Sequence, residues 1–129
     1  MEPRRFAHIG WGRARLRSFL CALRGIREVL STELHARIHA VATVVAGIVG
    51  WWLDLSLGEW ALLVLAVALV WTAEAVNTSI ERVVDLVSPD EHPLAGKAKD
   101  IAAGAVLIAS IGAAAIGAIV FLPKIIARF

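Results

Sequence analysis

Between positions 71 and 85 the chain reads WTAEAVNTSIERVVD, and Glu74, Asn77, Glu81 and Asp85 within it carry side chains able to accept protons or hold cations. On a helix advancing about 100° per residue, with Glu74 at zero, Asn77 falls at about −60°, Glu81 at about −20°, Asp85 at about +20° and Thr78 at about +40°. These five share one stripe, while Ala75, Val76, Ile80, Val83 and Val84 cover most of the remaining surface. The preceding run WALLVLAVALVWTA suits lipid and continues into the acidic stretch without a helix breaker. An ionised carboxylate facing lipid costs at least about 2.5 kcal/mol. Several on one seam must therefore face other helices, a water-filled cleft or a cation. A divalent metal would relieve their mutual repulsion. The plainer alternative leaves Glu81 and Asp85 hydrated at the interface, paired with Arg82 or Lys97. It suits Glu74 least, because Glu74 lies deeper and is flanked by Trp71 and Val76.

Two further polar groups stand near apolar segments. STELHARIH places Glu33 with His35, Arg37 and His39 just ahead of the first apolar run. Glu33 reads either as a cation ligand or as a solvated helix-end acid. His35 and His39 have the i, i+4 spacing of a metal pair but lack an HExxH context. HPLAGKAKD (92–100) sets Lys97, Lys99 and Asp100 where a third apolar helix begins. Such lysines snorkel toward headgroups or grip phosphates as point charges. The chain contains no GxxxxGK[ST], no GxGxxG and no protein-kinase catalytic loop. A phosphotransfer site would have to be assembled from membrane helices.

The elements that must position these groups follow from composition. With 129 residues and 59% hydrophobic content, the chain has too little interior for a soluble fold. It reads as one all-α membrane domain over 1–129: a basic extension (1–15), a surface helix (16–34) and spans at 35–53, 59–85 and 94–122. Ala102–Leu122 carries no charge and is long enough to cross roughly 30 Å of hydrocarbon. Leu16, Phe19, Leu23, Ile26 and Leu30 fall within about 80° of one another, with Arg17, Arg24 and Arg27 elsewhere. That pattern fits a helix lying in the membrane interface or one packed on protein. Trp51, Trp52 and Trp60 mark an aromatic belt at the first connection, and SPDEHP (88–93) is turn chemistry that opens the last helix at Pro93. The single Cys21 excludes an intrachain disulfide and reads as a small apolar filler, and no cleavable signal is expected.

Residues 1–39 hold eight Arg against three acids, and the second connection adds Arg82, Lys97 and Lys99, whereas DLSLGE has no Lys or Arg. The positive-inside rule puts the N-terminus and second loop in the cytoplasm, with Lys124 and Arg128 pulling weakly the other way. The basic arm suits anionic headgroups, and no nucleic-acid partner is expected.

AEAVNTSIERVVD followed by HPLAGKAKDIAAGAVL resembles the signature of the small bacterial integral-membrane lipid kinases, the diacylglycerol kinase and undecaprenol kinase family. The resemblance runs from about Ser18 to Pro123 and includes SF..A..GI (18–26), Glu33 and RIH (37–39). It implies a homotrimeric bundle in the bacterial inner membrane, each subunit with a surface helix and three spans, and active sites shared between subunits. It further implies ATP-dependent phosphorylation of a membrane lipid alcohol. Carried over by residue, Glu74 is the base at the lipid hydroxyl, with Arg37 also on the lipid side. Glu33 and Glu81 hold Mg²⁺ on the ATP phosphates, Asn77 and Asp85 support that seam, and Asp90, Glu91, His92, Lys99 and Asp100 contact the nucleotide. His35 and Ala36 depart from the Asn and aromatic usual in relatives of the undecaprenol type. The wording HPLA and VDLVSPDEHP resembles that branch more than the diacylglycerol one. A cation or proton transporter lined by Glu74 and Glu81 is the rival reading. A packing scaffold built on Gly104, Gly112 and Gly117 is a third.

Overall fold

Four helices joined by short turns make up the computed structural model, which describes residues 11–129: α1 (Trp11–Thr32), α2 (Leu34–Trp52), α3 (Leu57–Val87) and α4 (Pro93–Arg128). The first ten residues of the basic extension, including Arg4 and Arg5, lie outside the described residues. α2, α3 and α4 are each long and apolar enough to cross a membrane, and no strand occurs among the described residues. α3 has 31 residues, and at 1.5 Å per residue it reaches about 46 Å, well beyond the hydrocarbon thickness. Glu74 stands about 26 Å from its start, so the turns carrying Glu81 and Asp85 pass out of the lipid at ordinary tilts.

α1 meets the bundle along little of its length. Of its apolar stripe, Leu16, Phe19, Leu23 and Ile26 are exposed and Leu30 is half-buried, while Val29, to one side of the stripe, is buried. Protein from the same chain leaves most of this face uncovered. α1 ends at a one-residue break. Ser31 and Thr32 return their hydroxyls to the Glu28 carbonyl, a local competitor to the helical ladder. Arg37 donates from Nε to the Leu30 carbonyl at 3.0 Å and from Nη2 to the Ser31 carbonyl. Those are carbonyls that the ending of α1 leaves without intrahelical partners. Glu33 is the extended residue between the helices and starts α2 without using its own side chain as a cap.

α3 and α4 form an extensively packed hairpin. α3 starts from a capping box in which Ser56 Oγ accepts from Glu59 N–H and Glu59 Oε2 accepts from Ser56 N–H at 2.6 Å. α4 starts with Pro93 and a His92 cap, whose Nδ1 accepts the Leu94 N–H at 3.2 Å. It also continues through Pro123 to Arg128, beyond the expected end at Leu122. Proline removes one ladder bond there, which membrane helices tolerate.

The apolar core lies at the α2–α3 turn, where Leu53, Leu55, Leu63 and Val120 pack with Val49, Trp60, Ile116 and Phe121. Asp54 takes a φ of 50° to make this turn, a conformation open to Asp at modest strain. Lys124 ties α4 to it, through Glu59 Oε2 at 3.1 Å and the Asp54 carbonyl at 3.1 Å. Arg128 donates to the Trp52 carbonyl at 2.8 Å and stacks 4.4 Å over its ring. The two C-terminal cations thus have partners inside the fold.

Gly50 permits the closest approach. A Cβ there would stand 2.9 Å from Leu55 Cδ1 and 3.0 Å from Trp60 Cη2, whereas one at Gly47, Gly104 or Gly112 would meet open space within the chain. Gly50→Val is therefore expected to destabilise the detergent-solubilised protein by about 1–3 kcal/mol. Gly47→Ala should be neutral or slightly stabilising, and thermal unfolding of both variants checks the contrast.

Candidate active site

Burial along the polar seam of α3 runs as a gradient. Glu74 and Thr78 are each 3% exposed, Asn77 and Glu81 are half-buried, and Asp85 is exposed. The antiparallel register of α2 and α3 puts Trp71 beside Thr43, with the indole Nε1 donating to Thr43 Oγ1 at 3.3 Å. One turn earlier on α2 and about one turn later on α3, the same register brings His39 Nε2 to 3.1 Å from Glu74 Oε1. The separation is that of an ion pair, but the alignment is not that of a hydrogen bond, so Glu74 Oε1 has no donor. Thr78 Oγ1 and Asn77 Oδ1 are likewise buried without partners, while the Asn77 amide donates to Glu81 Oε1 at 3.0 Å. The seam ends where Lys99 Nζ pairs with Asp85 Oδ1. Lys97 is exposed, and Arg82 turns away to Glu28 Oε1 at 3.1 Å and Thr32 Oγ1 at 3.2 Å. Pairing of the seam acids with Arg82 or Lys97 is thus not what the side chains do.

The sequence-chosen residues fall into three neighbouring groups. Asp85, Asp90, Glu91, His92 and Lys99 line one open cleft of about 500 Å³ at the α3–α4 corner, floored by Val84, Ala95 and Gly96. Glu74, buried, and Asn77 and Glu81, half-buried, precede it on α3. Glu33 sits at the α1–α2 break, where its Oε1 accepts from Thr32 Oγ1 at 3.1 Å. Asp100 is exposed outside the cleft. Two donors of Arg37 are engaged with the end of α1. Among the described residues no cluster of three or more His, Cys, Asp or Glu converges. Mg²⁺ does not need one, because it is commonly held by one or two carboxylates with substrate phosphates and water. Asn77 Oδ1, buried without a partner, and the Glu33 and Glu81 carboxylates are hard oxygen donors of the kind such an ion would take.

A second, apolar groove of about 710 Å³ opens between α1 and α3, walled by Ala22, Gly25, Ile26, Val29 and Leu30 on one side and Trp71, Thr72, Ala75, Val76 and Ser79 on the other. The groove therefore runs along the helix that carries Glu74, although Glu74 itself lines neither the groove nor the polar cleft. A deep polar acid, an open polar cleft and an apolar groove share one end of the molecule.

A family model described as prokaryotic diacylglycerol kinase matches residues 20–121. The chain belongs to that family. The kinase is 41% identical over 109 residues to undecaprenol kinase of Bacillus subtilis (strain 168), covering 84% of this chain and 89% of the relative. It is 39% identical over 88 residues to diacylglycerol kinase of Escherichia coli (strain K12), covering 68% and 72%. A diacylglycerol kinase of Synechocystis is 39% identical over 110 residues, covering 84% of this chain and 63% of its own length. The chain is therefore a membrane-embedded lipid kinase, and as a kinase it uses ATP to phosphorylate a lipid alcohol.

Sequence reasoning took His39 only as half of a weak metal pair with His35 and did not see it beside Glu74. The available signal was two polar residues at matching depth in consecutive spans. Arg82 and Glu28 were missed as partners because 54 residues and two helices separate them. Replacing His39 by Leu removes the imidazole 3.1 Å from Glu74 Oε1 and, by leaving a buried polar group less well compensated, should destabilise the kinase by about 1–3 kcal/mol. In the Glu74→Gln background the same change should have a clearly smaller effect, and a double-mutant cycle of unfolding in detergent measures that coupling.

Proposed function

We propose that this kinase transfers the γ-phosphoryl group of ATP to the hydroxyl of undecaprenol, with diacylglycerol as the poorer acceptor, at the cytoplasmic face of a bacterial inner membrane. The observation that carries this reading is the carboxylate of Glu74, 3% exposed on the helix whose other residues line the apolar groove and, farther along, the polar cleft. The preference for undecaprenol rests on the Bacillus relative, which matches more of this chain at slightly higher identity than the Escherichia relative does.

The lipid lies with its chain in the α1–α3 groove and its hydroxyl at Glu74. Glu74 accepts the hydroxyl proton, the alcohol oxygen bonds to the γ-phosphorus, and the bond from that phosphorus to the bridging β–γ oxygen breaks, releasing ADP. An alcohol is a weak nucleophile at neutral pH, so proton removal in step with attack contributes about 10²–10⁴-fold. The cleft at the α3–α4 corner takes the nucleotide through Asp90, Glu91 and the ring nitrogen of His92 not used in capping, with Asp100 at its outer margin. Lys99 exchanges Asp85 for a phosphate oxygen, which is inexpensive because exposed ion pairs contribute little. Glu33 and Glu81 hold Mg²⁺, with Asn77 fixing the orientation of Glu81 and Asp85 completing the seam. The metal supplies neutralisation of the phosphate charge that otherwise opposes approach of the alcohol. Arg37 orders the α1–α2 break beside the lipid headgroup and so keeps Glu33 at the groove mouth.

The assembly that fits best is a homotrimer with sites shared between subunits. Its support is that the candidate spans are largely uncovered in one chain, that buried Ser110 Oγ lacks a partner, and that Gly104 and Gly112 leave room for close approach. The basic face of α1 and the internal pairing of Lys124 and Arg128 support a cytoplasmic N-terminus and second loop. The whole of 1–129 then acts as one catalytic domain.

Incubation with γ-labelled ATP and, separately, undecaprenol or diacylglycerol in mixed micelles tests the reading. Label should enter undecaprenol faster, and Glu74→Gln should lower transfer at least about 100-fold with nucleotide affinity nearly unchanged. Near-normal turnover in that variant would remove Glu74 as base. Preferential labelling of diacylglycerol would reverse the substrate assignment.

A further inference from the structure

The contact between Arg82 and the end of the surface helix has no role in the reaction described above. α1 and α3 are held apart by the open apolar groove, and the groove's last lining residues are Leu30 on α1 and Ser79 on α3. Arg82 lies just beyond that limit on α3 and bridges the gap with two arms. One reaches Glu28 Oε1 at 3.1 Å, the other Thr32 Oγ1 at 3.2 Å. Thr32 Oγ1 in turn lies 3.1 Å from Glu33 Oε1 and 3.0 Å from the Glu28 carbonyl. A hydroxyl has a single proton to give. With Arg82 donating into its lone pair, the Thr32 proton remains to be given to the carbonyl or to Glu33.

Arg82 and Glu28 are about half exposed, at 49% and 54%, so their pairing adds little to stability. Its geometry is more informative than its energy. A guanidinium engages two acceptors at fixed spacing, which an ammonium cannot reproduce. Here the two acceptors are one turn apart on α1, so the contact fixes both the distance of α1 from α3 and its rotation about its own axis. The residue before Arg82 is Glu81, and the residue after Thr32 is Glu33. One bridge therefore sets the relative position of the two helix segments that carry the proposed metal ligands.

We propose that Arg82 is a positioning residue that clamps the surface helix at the mouth of the lipid groove and, through Thr32, holds Glu33 in place for the metal. The proposal rests on the reading of Glu33 as a metal ligand. Arg82 touches neither substrate nor metal. Partners of ligating carboxylates typically contribute 10–100-fold to metal affinity, and the clamp belongs in that range.

The native Cys21, single in the chain and exposed on α1, provides a reporter on the full-length protein. A spin label there reads the seating of α1, and Mn²⁺ binding in the presence of a non-hydrolysable ATP analogue reads the metal site, both by electron paramagnetic resonance. Arg82→Ala should increase label mobility and weaken Mn²⁺ at least about tenfold. Arg82→Lys, able to keep only one arm, should fall between. The exchange Arg82→Glu with Glu28→Arg should restore most of the label's immobility, because it rebuilds the ion pair, but only part of the Mn²⁺ affinity, because the donor to Thr32 is gone. Unchanged label mobility in Arg82→Ala overturns the clamp. Undiminished Mn²⁺ affinity in Arg82→Ala, alongside weakened binding in Glu33→Gln, overturns the link to Glu33. Full Mn²⁺ affinity in Glu33→Gln instead brings down the metal reading itself, and the positioning role with it.

Discussion

A carboxylate at the edge of hydrocarbon is expensive, and the architecture follows from where that expense is met. Glu74 is shielded from lipid by its place in the helix packing, yet its Oε1 receives no hydrogen bond. A purely structural acid would be expected to acquire a donor or to be replaced by an apolar side chain. Retaining a buried carboxylate with unused acceptor capacity is a reason to look for a reacting proton. The neighbouring Thr78 and Asn77 oxygens, also unpartnered, extend the same argument toward the C-terminal end of the helix.

The remaining elements serve that helix in complementary ways. The α2–α3 turn is anchored by a small apolar core, with Gly50 against Trp60 and with Lys124 and Arg128 binding α4 to it. The opposite end is open, divided between a polar cleft and an apolar groove. Rigidity at one end and openness at the other suit an enzyme that must admit both a charged nucleotide and a long lipid. α3 spans both ends because it is longer than the hydrocarbon is thick, so one helix can anchor in the core and still carry acids into the interface.

Much of this was legible in the chain. The three spans, the surface helix and the acidic seam followed from hydropathy and a 100° period, because a charged residue in lipid leaves few alternatives. Asp90, Glu91, His92 and Lys99 were grouped by the resemblance alone, and they line one cleft, whereas Asp100, grouped with them, does not. Pairing between helices was not readable. Asp85 meets Lys99 rather than Lys97 or Arg82, because side-chain direction at a helix end depends on the hairpin's rotation. His39 reaches Glu74 only through the α2–α3 register, and Arg82 reaches Glu28 only after α1 folds back at Glu33. The persistence of α4 past Pro123 depends on anchors at Lys124 and Arg128 whose partners lie some 70 residues upstream. Propensity at a proline contains no record of such contacts.

The central claim is that acids from α3 meet Glu33 around a divalent ion beside the lipid hydroxyl. Anomalous scattering from crystals of the kinase grown with Mn²⁺ and a non-hydrolysable ATP analogue tests it most directly. The account predicts a single strong peak coordinated by Glu33, Glu81 and phosphate oxygens, within one subunit or across two. A peak bound by other side chains, with Glu33 and Glu81 far from it, would contradict it.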